Sequence, residues 1–341
     1  MLKIKPIVVI AALLFTVTLM IPSLLVLPFS EEKASGKLEE DVKEEEAPVV
    51  KPTGPAVEVA VYRTQQKLLE NIPLEDYIVG VVASEMPADF EMEALKAQAL
   101  TARTYIVRQL LAEERVGIPE GAHVTDTVHH QVYKSDAELK EIWGAKDYKW
   151  KIDKIKKAVQ ATSGQILTYE GAPIDATFFS TSNGYTESSG DIWPNQYPYL
   201  KSVESPWDVE SPKYKGQEVF TVSEFESKLG VKLSSNGTIG TIIEKTDGNR
   251  VGKVDINGKV LTGKEIRESL GLKSTDFTWE RKGNNIVVNT KGYGHGVGMS
   301  QYGANFMAVE GKTYQEIVQH YYQGIQLASS ADFLTKIMAQ K

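Results

Sequence analysis

The chain contains no cysteine, so disulfide bonds and thiolate metal sites are both excluded. It also has no block of basic residues, and its formal net charge at pH 7 is −7, which argues against a general nucleic-acid-binding protein. No internal repeat is visible in the 341 residues. Hydrophobic residues still account for 42% of them, which is enough for one large or two modest globular domains.

Several catalytic motifs are missing as well. The sequence has no H-E-x-x-H zinc motif, no G-x-S-x-G nucleophile elbow, and neither the Walker nor the dinucleotide-binding fingerprint. These absences disfavour a zinc protease of that type, a serine hydrolase of the elbow class and the common phosphate-binding loops. His123, His129 and His130 lie near Asp126, but a local cluster of this kind is only weak evidence for zinc.

The N-terminus contains an uncharged stretch that is almost continuously apolar over residues 7–29, long enough to cross a bilayer. Lys3 and Lys5 precede it and acidic residues follow it. The positive-inside rule therefore predicts residues 1–6 in the cytoplasm and the remainder outside the cell membrane. Because no clear small-x-small cleavage site follows, we predict a single-pass anchor; a long, removed signal peptide is the alternative.

The composition divides the rest of the chain into segments. Residues 30–56 are rich in glutamate and lysine and contain three prolines, so we predict a disordered linker. Residues 57–328 are the predicted extracytoplasmic globular region. Within it, short helical patterns alternate with short strand patterns at residues 206–282, and we interpret this range as a candidate inserted subdomain. Residues 329–341 are assigned to a C-terminal tail.

Helical periodicities alternate with short strand patterns throughout the globular region. It opens with a period-two strand at Val57–Tyr62, and the turn at Thr246–Asn249 indicates a hairpin. A short helix is predicted at Asp153–Thr162, and a strand at Asn285–Thr290 is expected to return the chain to the main body. We therefore predict an α+β fold of mixed helices and short antiparallel strands, with an inserted smaller subdomain and one N-terminal transmembrane helix.

A predicted helix at residues 73–85 carries one carboxylate on its apolar face. The apolar residues recur at the spacing of one buried helical face: Leu74, Tyr77, Ile78, Val81 and Val82. Glu85 continues the same face, and Pro87 ends the helix. A carboxylate facing a core is unfavourable unless it is paired, protonated or used chemically. Glu85 is therefore the first candidate for a catalytic acid.

A second predicted helix, from about Glu91 to Glu114, places Lys96 and Arg103 on a largely apolar face, seven residues apart. One interpretation is that their aliphatic stems cover apolar surface while their charged heads reach water. The other is that both cations serve a site built around the partly buried Glu85. The pattern alone leaves both interpretations open.

Two loops have compositions suited to ligands. Gly292–Gly298 alternates four glycines with side chains around His295, so its backbone could approach a ligand closely; a tight structural turn is the alternative. Ser180–Gly190 offers hydroxyl and amide groups, among them those of Ser180 and Ser182, that suit a polyhydroxylated ligand. By composition alone, an ordinary surface loop is the more common explanation of that second segment.

Taken together, these segments resemble the stage II sporulation protein D family of peptidoglycan lytic transglycosylases. The similarity covers nearly all of residues 57–328 in order. The segments that carry it are Tyr77–Pro87, Glu93–Tyr105, Ser180–Glu187, Pro198–Val203 and Gly292–Ala304.

The resemblance implies cleavage of the bond between N-acetylmuramic acid and N-acetylglucosamine, leaving a 1,6-anhydro end. The family's catalytic glutamate corresponds to Glu85, and its supporting lysine and arginine correspond to Lys96 and Arg103. Tyr199 is a further candidate. Ser180, Ser182 and His295 are expected to line the sugar groove.

One departure from the family concerns metal. Some members carry cysteines that can hold zinc, and Thr125 and His130 occupy the corresponding positions here. We therefore predict an enzyme that needs neither metal nor another cofactor. A metal hydrolase built on His123, His129, His130 and His295 remains an alternative.

The resemblance also implies a setting and partners. The expected substrate is a glycan strand stripped of its stem peptides, in septal wall remodelling and engulfment during sporulation. Expected partners are the membrane, through the N-terminal helix, and other engulfment proteins, one of them an amidase. The alternative from a different class is a non-catalytic wall-binding activator of an amidase.

Overall fold

The computed structural model describes residues 57–112, 117–234 and 237–339. The predicted anchor at residues 7–29 and the predicted linker at residues 30–56 lie outside these ranges. Within the described ranges, no helix is both long enough and apolar enough to cross a membrane.

The described residues form a mixture of helices and small sheets, which confirms that part of the predicted fold class. The helices are α1 Leu74–Glu85, α2 Met92–Leu111, α3 Asp136–Ala161, α4 Ser189–Ile192, α5 Val222–Leu229, α6 Gly263–Leu270, α7 Gln301–Val309, α8 Tyr314–Tyr321 and α9 Ala331–Ala339, with a 3-10 turn at Pro206–Glu210. The strands are β1 Glu58–Arg63, β2 Leu68–Pro73, β3 Val124–Thr125, β4 Gln165–Tyr169, β5 Ala172–Pro173, β6 Phe178–Phe179, β7 Lys215–Thr221, β8 Thr241–Lys245, β9 Val251–Ile256, β10 Lys259–Thr262, β11 Asp276–Lys282, β12 Asn285–Lys291, β13 Met299–Ser300 and β14 Gln326–Ser329.

The sheets are small, and two of their strand pairs are parallel. β1 pairs antiparallel with β2, with Val59 opposite Ile72, and it also pairs parallel with β3. β13 runs parallel to β6. The prediction of antiparallel strands is therefore incomplete. Both parallel pairs are only two residues long and join segments distant in sequence. Local turn residues therefore cannot predict them.

The main core surrounds α2. The predicted face of α1, from Leu74 to Val82, is buried, and it packs with α2 and α3. Alanines at positions 94, 97, 99 and 102 let neighbouring elements approach α2 closely, and all four are buried. On other sides α2 meets α7, α8 and β4. The short segment of residues 86–91 joins the end of α1 to the start of α2.

Arg103 lies inside this core and does not extend into solvent. Its side chain is 0% exposed, and its Nε and Nη2 donate to the two carboxylate oxygens of Glu75 at 2.9 and 2.7 Å. Nη1 donates to the Thr162 carbonyl at 2.8 Å, and Nη2 donates to the Val159 carbonyl at 3.1 Å. One guanidinium group thereby joins the start of α1, the middle of α2 and the end of α3.

Replacing Arg103 with alanine is expected to lower the free energy of unfolding by about 3–5 kcal/mol, because it leaves buried carbonyls and Glu75 without their donor. Arg103→Lys should recover only part of this loss, since lysine cannot reproduce the bidentate pair. Urea denaturation measures both effects. Lys149→Ala, whose lysine side chain is 86% exposed, serves as the matched control. Equal stabilities for Arg103→Ala and the control would contradict a structural role.

α3 is longer than predicted. A short helix was expected at Asp153–Thr162, but α3 begins at Asp136, where Ser135 and Glu138 form a reciprocal capping box. The backbone bends at Gly144, which has a φ of 70° and non-helical geometry. The S-x-x-E pattern at residues 135–138 is the local signal that the prediction missed.

A second hydrophobic core lies between α5, α6 and the strands β7 to β12. Phe225, Ile266 and Phe277 are among its buried side chains. β12 was expected to return the chain to the main body, and this was wrong: it is the central strand of the sheet β11-β12-β7. The subdomain boundaries at residues 206–282 stay a prediction.

The segment expected to be a C-terminal tail contains α9. Its Leu334 and Ile337 are buried against the main core. These two residues lie three positions apart, so they share one face of the helix.

Candidate functional site

Glu85 is the last residue of α1, and its carboxyl group is partly buried. Oε1 accepts a hydrogen bond of 2.9 Å from the Val132 N–H. Oε2 accepts no hydrogen bond from the described residues and keeps some contact with solvent. Burial raises the pKa of Glu85, and the Val132 N–H opposes this rise only in part.

The segment around Val132 is fixed by aromatic packing. Tyr133 stacks on Tyr77 of α1 with ring centroids 5.5 Å apart. This contact requires glycine at position 80, because a Cβ atom there would lie 2.3 Å from the Tyr133 ring. Tyr77 and Gly80 of α1 thus help to position the Val132 N–H. This group donates to Glu85, the last residue of the same helix.

The two predicted cations have partners other than Glu85. Lys96 Nζ pairs with Glu93 Oε1 at 2.6 Å and lies 5.8 Å from the centre of the Tyr314 ring. Arg103 is held in the interior by Glu75. The pKa shift of Glu85 is caused by burial and by the Val132 N–H, with no contribution from either cation. Substrate-binding roles for both residues stay predictions.

Gln301 connects Glu85 to the C-terminal glycine-rich motif. Its Nε2 donates to the Glu85 carbonyl at 2.9 Å and to Gln98 Oε1 of α2 at 3.3 Å. Gln301 begins α7, where Ser300 Oγ accepts from the Gly303 N–H as the N-cap. The structure thus brings Gln301, from the last part of the motif at residues 292–304, to the end of α1.

The Ser180–Gly190 segment is largely buried, and this overturns its interpretation as an ordinary surface loop. Ser182 is 0% exposed, and its N–H and Oγ both donate to Asp208. Ser205 and Ser300 also donate to Asp208, at 2.6 and 2.5 Å. Burial raises the pKa of Asp208, against the opposing effect of these donors. Ser180 is partly exposed, and its carbonyl accepts from the Tyr302 N–H.

His295 is partly buried between two aromatic rings. Its ring centroid lies 5.7 Å from that of Phe179 and 5.3 Å from that of Trp193, and Nδ1 accepts from the Val297 N–H. Burial, reinforced by Arg267 and Arg250, lowers the pKa of His295 to about 4. The imidazole is therefore neutral at neutral pH.

Glu187 and Arg250 form a buried pair that the sequence analysis missed. Both side chains are 0% exposed, and Arg250 Nε lies 3.3 Å from Glu187 Oε1. Glu187 N–H donates to the Gly296 carbonyl, and Arg250 Nη1 donates to the Gly294 carbonyl. A Cβ at Gly296 would lie 2.7 Å from Arg250 Cζ. The pair therefore joins the Ser180–Glu187 segment to the glycine-rich loop. Glu187 stood in a quoted motif, but nothing local marked Arg250 as its partner.

Burial raises the pKa of Glu187 to about 7, and Arg250 opposes the rise only in part. The folded protein then binds this proton more tightly than the unfolded chain does. The stability of the wild type relative to Glu187→Gln should therefore fall as pH rises from about 4.5 to about 7. Urea unfolding of both proteins across this interval measures the difference. A difference that is constant, or that grows with pH, would mean that Arg250 keeps Glu187 ionised.

Tyr199 lies elsewhere in the main core. Its hydroxyl accepts from the Asp175 N–H at 3.0 Å, and its ring stacks on Tyr197, 5.3 Å away. Tyr197 contacts Arg108 near the end of α2, whereas Gln98 marks the region of Glu85. Ten residues of helix separate these points by about 15 Å. The structure does not bring Tyr199 to Glu85, and its role stays a prediction.

The histidines near residue 130 are engaged in local hydrogen bonds. His123 Nδ1 accepts from the Ala60 N–H at 2.8 Å, and His130 Nδ1 lies 2.8 Å from Thr125 Oγ1. Thr125 and His130, at the family's cysteine positions, therefore contact each other directly. In the part of the chain that the structure describes, no three histidine or acidic residues are grouped closely enough to hold a metal ion.

A surface depression of about 440 Å³ includes residues of the segments Ser180–Glu187 and Pro198–Val203. It is formed by Tyr185 and Ser188, by residues 201–204 and by Asp247. Glu85 is not part of its wall. The depression and the candidate acid are therefore separate features of the structure.

Comparisons with known proteins show the family to which the chain belongs. The sequence profile of the stage II sporulation protein family matches residues 62–169, which include α1, α2 and Glu85. Stage II sporulation protein D of Bacillus subtilis (strain 168) is 53% identical over 338 residues, covering 97% of this chain and 98% of the relative. The protein of the same name from Bacillus amyloliquefaciens is 51% identical over 346 residues, covering 99% and 100%. The chain belongs to the stage II sporulation protein D family.

The chain is also similar, at lower identity, to a protein with a different name. The amidase enhancer of Bacillus subtilis (strain 168) is 31% identical over 305 residues, covering 73% of this chain and 40% of that protein.

Proposed function

We propose that this protein is a lytic transglycosylase that cleaves the bond between N-acetylmuramic acid and N-acetylglucosamine and leaves a 1,6-anhydro end. The observation that carries the proposal is the environment of the Glu85 carboxyl group. It is a partly buried carboxyl with one oxygen fixed by the Val132 N–H and the other in some contact with solvent. This arrangement suits a general acid.

The proposed reaction starts from the protonated form of Glu85, which burial favours by raising the pKa of the carboxyl group. Oε1 already accepts the Val132 N–H, so the proton is placed on Oε2, which keeps some contact with solvent. Oε2 donates it to the glycosidic oxygen. The 6-hydroxyl of the sugar attacks the anomeric carbon, and the resulting carboxylate accepts the hydroxyl proton. The sugar supplies its own nucleophile, so the second carboxylate of ordinary glycosidases is unnecessary.

The other predicted site residues have separate roles in this proposal. Arg103 supports α1 through Glu75 and does not contact substrate, since its side chain is fully buried. Lys96, whose side chain is 22% exposed, remains a candidate for binding substrate carboxylate or acetamido groups. Ser180 and His295 remain candidates for lining the groove. Ser182 would act by holding Asp208.

The proposed setting is the outer face of the cell membrane, with residues 7–29 as anchor and the septal wall as substrate. The family name of the chain places it in sporulation. Strands already stripped of stem peptides would be the preferred substrate, and an amidase that strips them would be a partner.

The second candidate function is non-catalytic activation of an amidase. Its support is the similarity to a protein named amidase enhancer. It differs from the first candidate in what it requires of Glu85, since an activator does not need a proton donor there.

The decisive variant is Glu85→Gln, which keeps the side-chain size and the Oε1 acceptor but removes the acid. With purified glycan strands, the wild type should release 1,6-anhydro products, and Glu85→Gln should lower their rate of formation by at least about 100-fold. Mass spectrometry of the released sugars measures this. Glu91→Gln is the matched control, since Glu91 is an exposed carboxyl near the start of α2.

Unfolding curves should be similar for the two variants, so a loss of activity would report chemistry and not folding. Release of reducing sugars without an anhydro end would identify a hydrolase instead. Full biological activity of Glu85→Gln with intact glycan binding would favour the amidase activator.

A further inference from the structure

One exposed stretch of α3 has a charge opposite to that of the chain as a whole. Residues 140–157 contain seven lysines and three acidic residues, whereas the complete chain has a net charge of −7. Of these lysines, five are exposed: Lys140, Lys146, Lys149, Lys156 and Lys157. We call this stretch the lysine face. It is a positive surface on an otherwise acidic protein.

Apolar side chains project from the same stretch. Ile142 is 57% exposed and Trp150 is 41% exposed. They lie on either side of Gly144, where the positive φ of 70° breaks the helix and produces a bend. Single exposed apolar residues are common on protein surfaces. Here, however, two of them flank one bend in the same lysine-rich stretch.

The aromatic rings and the cations of the lysine face contact one another. Lys151 Nζ lies 5.7 Å from the centre of the Trp143 ring and 5.4 Å from that of Trp150. Seven lysines against three acidic residues leave the stretch with a net charge of +4. Lys149 pairs with Asp153 at 3.2 Å, but both side chains are more than half exposed, so this pair is weak.

We propose that the lysine face docks on the surface of a bilayer that contains anionic headgroups. Lysines bind the lipid phosphates, while tryptophan and isoleucine enter the boundary between headgroups and acyl chains. Tryptophan prefers this boundary because its ring is apolar and its N–H is polar. A soluble polyanion would satisfy the lysines but would leave Ile142 exposed, so the bilayer accounts for more of the surface.

Docking would have a consequence for Glu85. Lys154, on the same helix, donates from Nζ to the Phe90 carbonyl at 2.6 Å. Phe90 lies in the turn that follows α1 and Glu85. α3 is therefore attached to the segment beside the candidate acid, and docking would fix the height of Glu85 above the bilayer. The binding itself does not depend on catalysis and can be measured without it.

The test uses the full chain in lipid nanodiscs of phosphatidylcholine, with or without phosphatidylglycerol. Because the chain has no cysteine, Ile142→Cys provides a single site for an environment-sensitive fluorophore. In discs with phosphatidylglycerol its emission should shift to shorter wavelength and gain intensity. About 1 M NaCl should reverse this, since the Debye length is then about 3 Å. Val219→Cys, at a position 56% exposed on β7, is the control and should not respond.

Adding Lys146→Glu and Lys149→Glu to the labelled protein should weaken docking by roughly 20-fold or more, since each lysine near an anionic surface contributes about fivefold. Identical emission in both kinds of disc would overturn the proposal. An equal response at Val219→Cys would also overturn it, because contact would then be non-specific. If a soluble anionic polysaccharide caused the shift in phosphatidylcholine discs, the surface would bind a polymer and not a membrane.

Discussion

The hydrogen bond from the Val132 N–H to Glu85 Oε1 is the interaction on which the candidate site depends. It fixes one carboxyl oxygen as an acceptor and leaves the other for a proton. The bond exists because Tyr133 stacks on Tyr77 where Gly80 leaves room, and because α1 ends at Glu85. Loss of the Tyr77–Tyr133 packing would expose the carboxyl group to solvent and so weaken the burial that raises its pKa.

The parts of the site that the sequence predicts are those with a local pattern. The buried face of α1 follows from the spacing of its apolar residues, and Glu85 stands out because it continues that face. The end of α1 follows from Pro87. Lys96 and Arg103 are correctly placed on α2 for the same reason. Periodicity gives the face on which a side chain lies, but it does not give the partner that the side chain meets.

The parts that the sequence does not predict depend on contacts between distant segments. Arg103 could reach solvent, a substrate or Glu75, and only the packing of α1 on α2 selects Glu75. The donor to Glu85 comes from a segment 47 residues away. Glu187 and Arg250 meet across two chain segments, as do Asp208 and its serines. In each case burial of a polar group requires a partner, but the residue types alone do not name that partner.

The measurement that tests this account most directly is the titration of Glu85 itself. In protein with ¹³C-labelled glutamate side chains, the Cδ resonance of Glu85 can be assigned by its disappearance in Glu85→Gln and followed from acidic to neutral pH. The account predicts a midpoint above 4.5, the ordinary value for glutamate, because burial outweighs the Val132 N–H. A midpoint at or below 4.5 would contradict it, since burial would then not favour the protonated form that the proposed reaction requires.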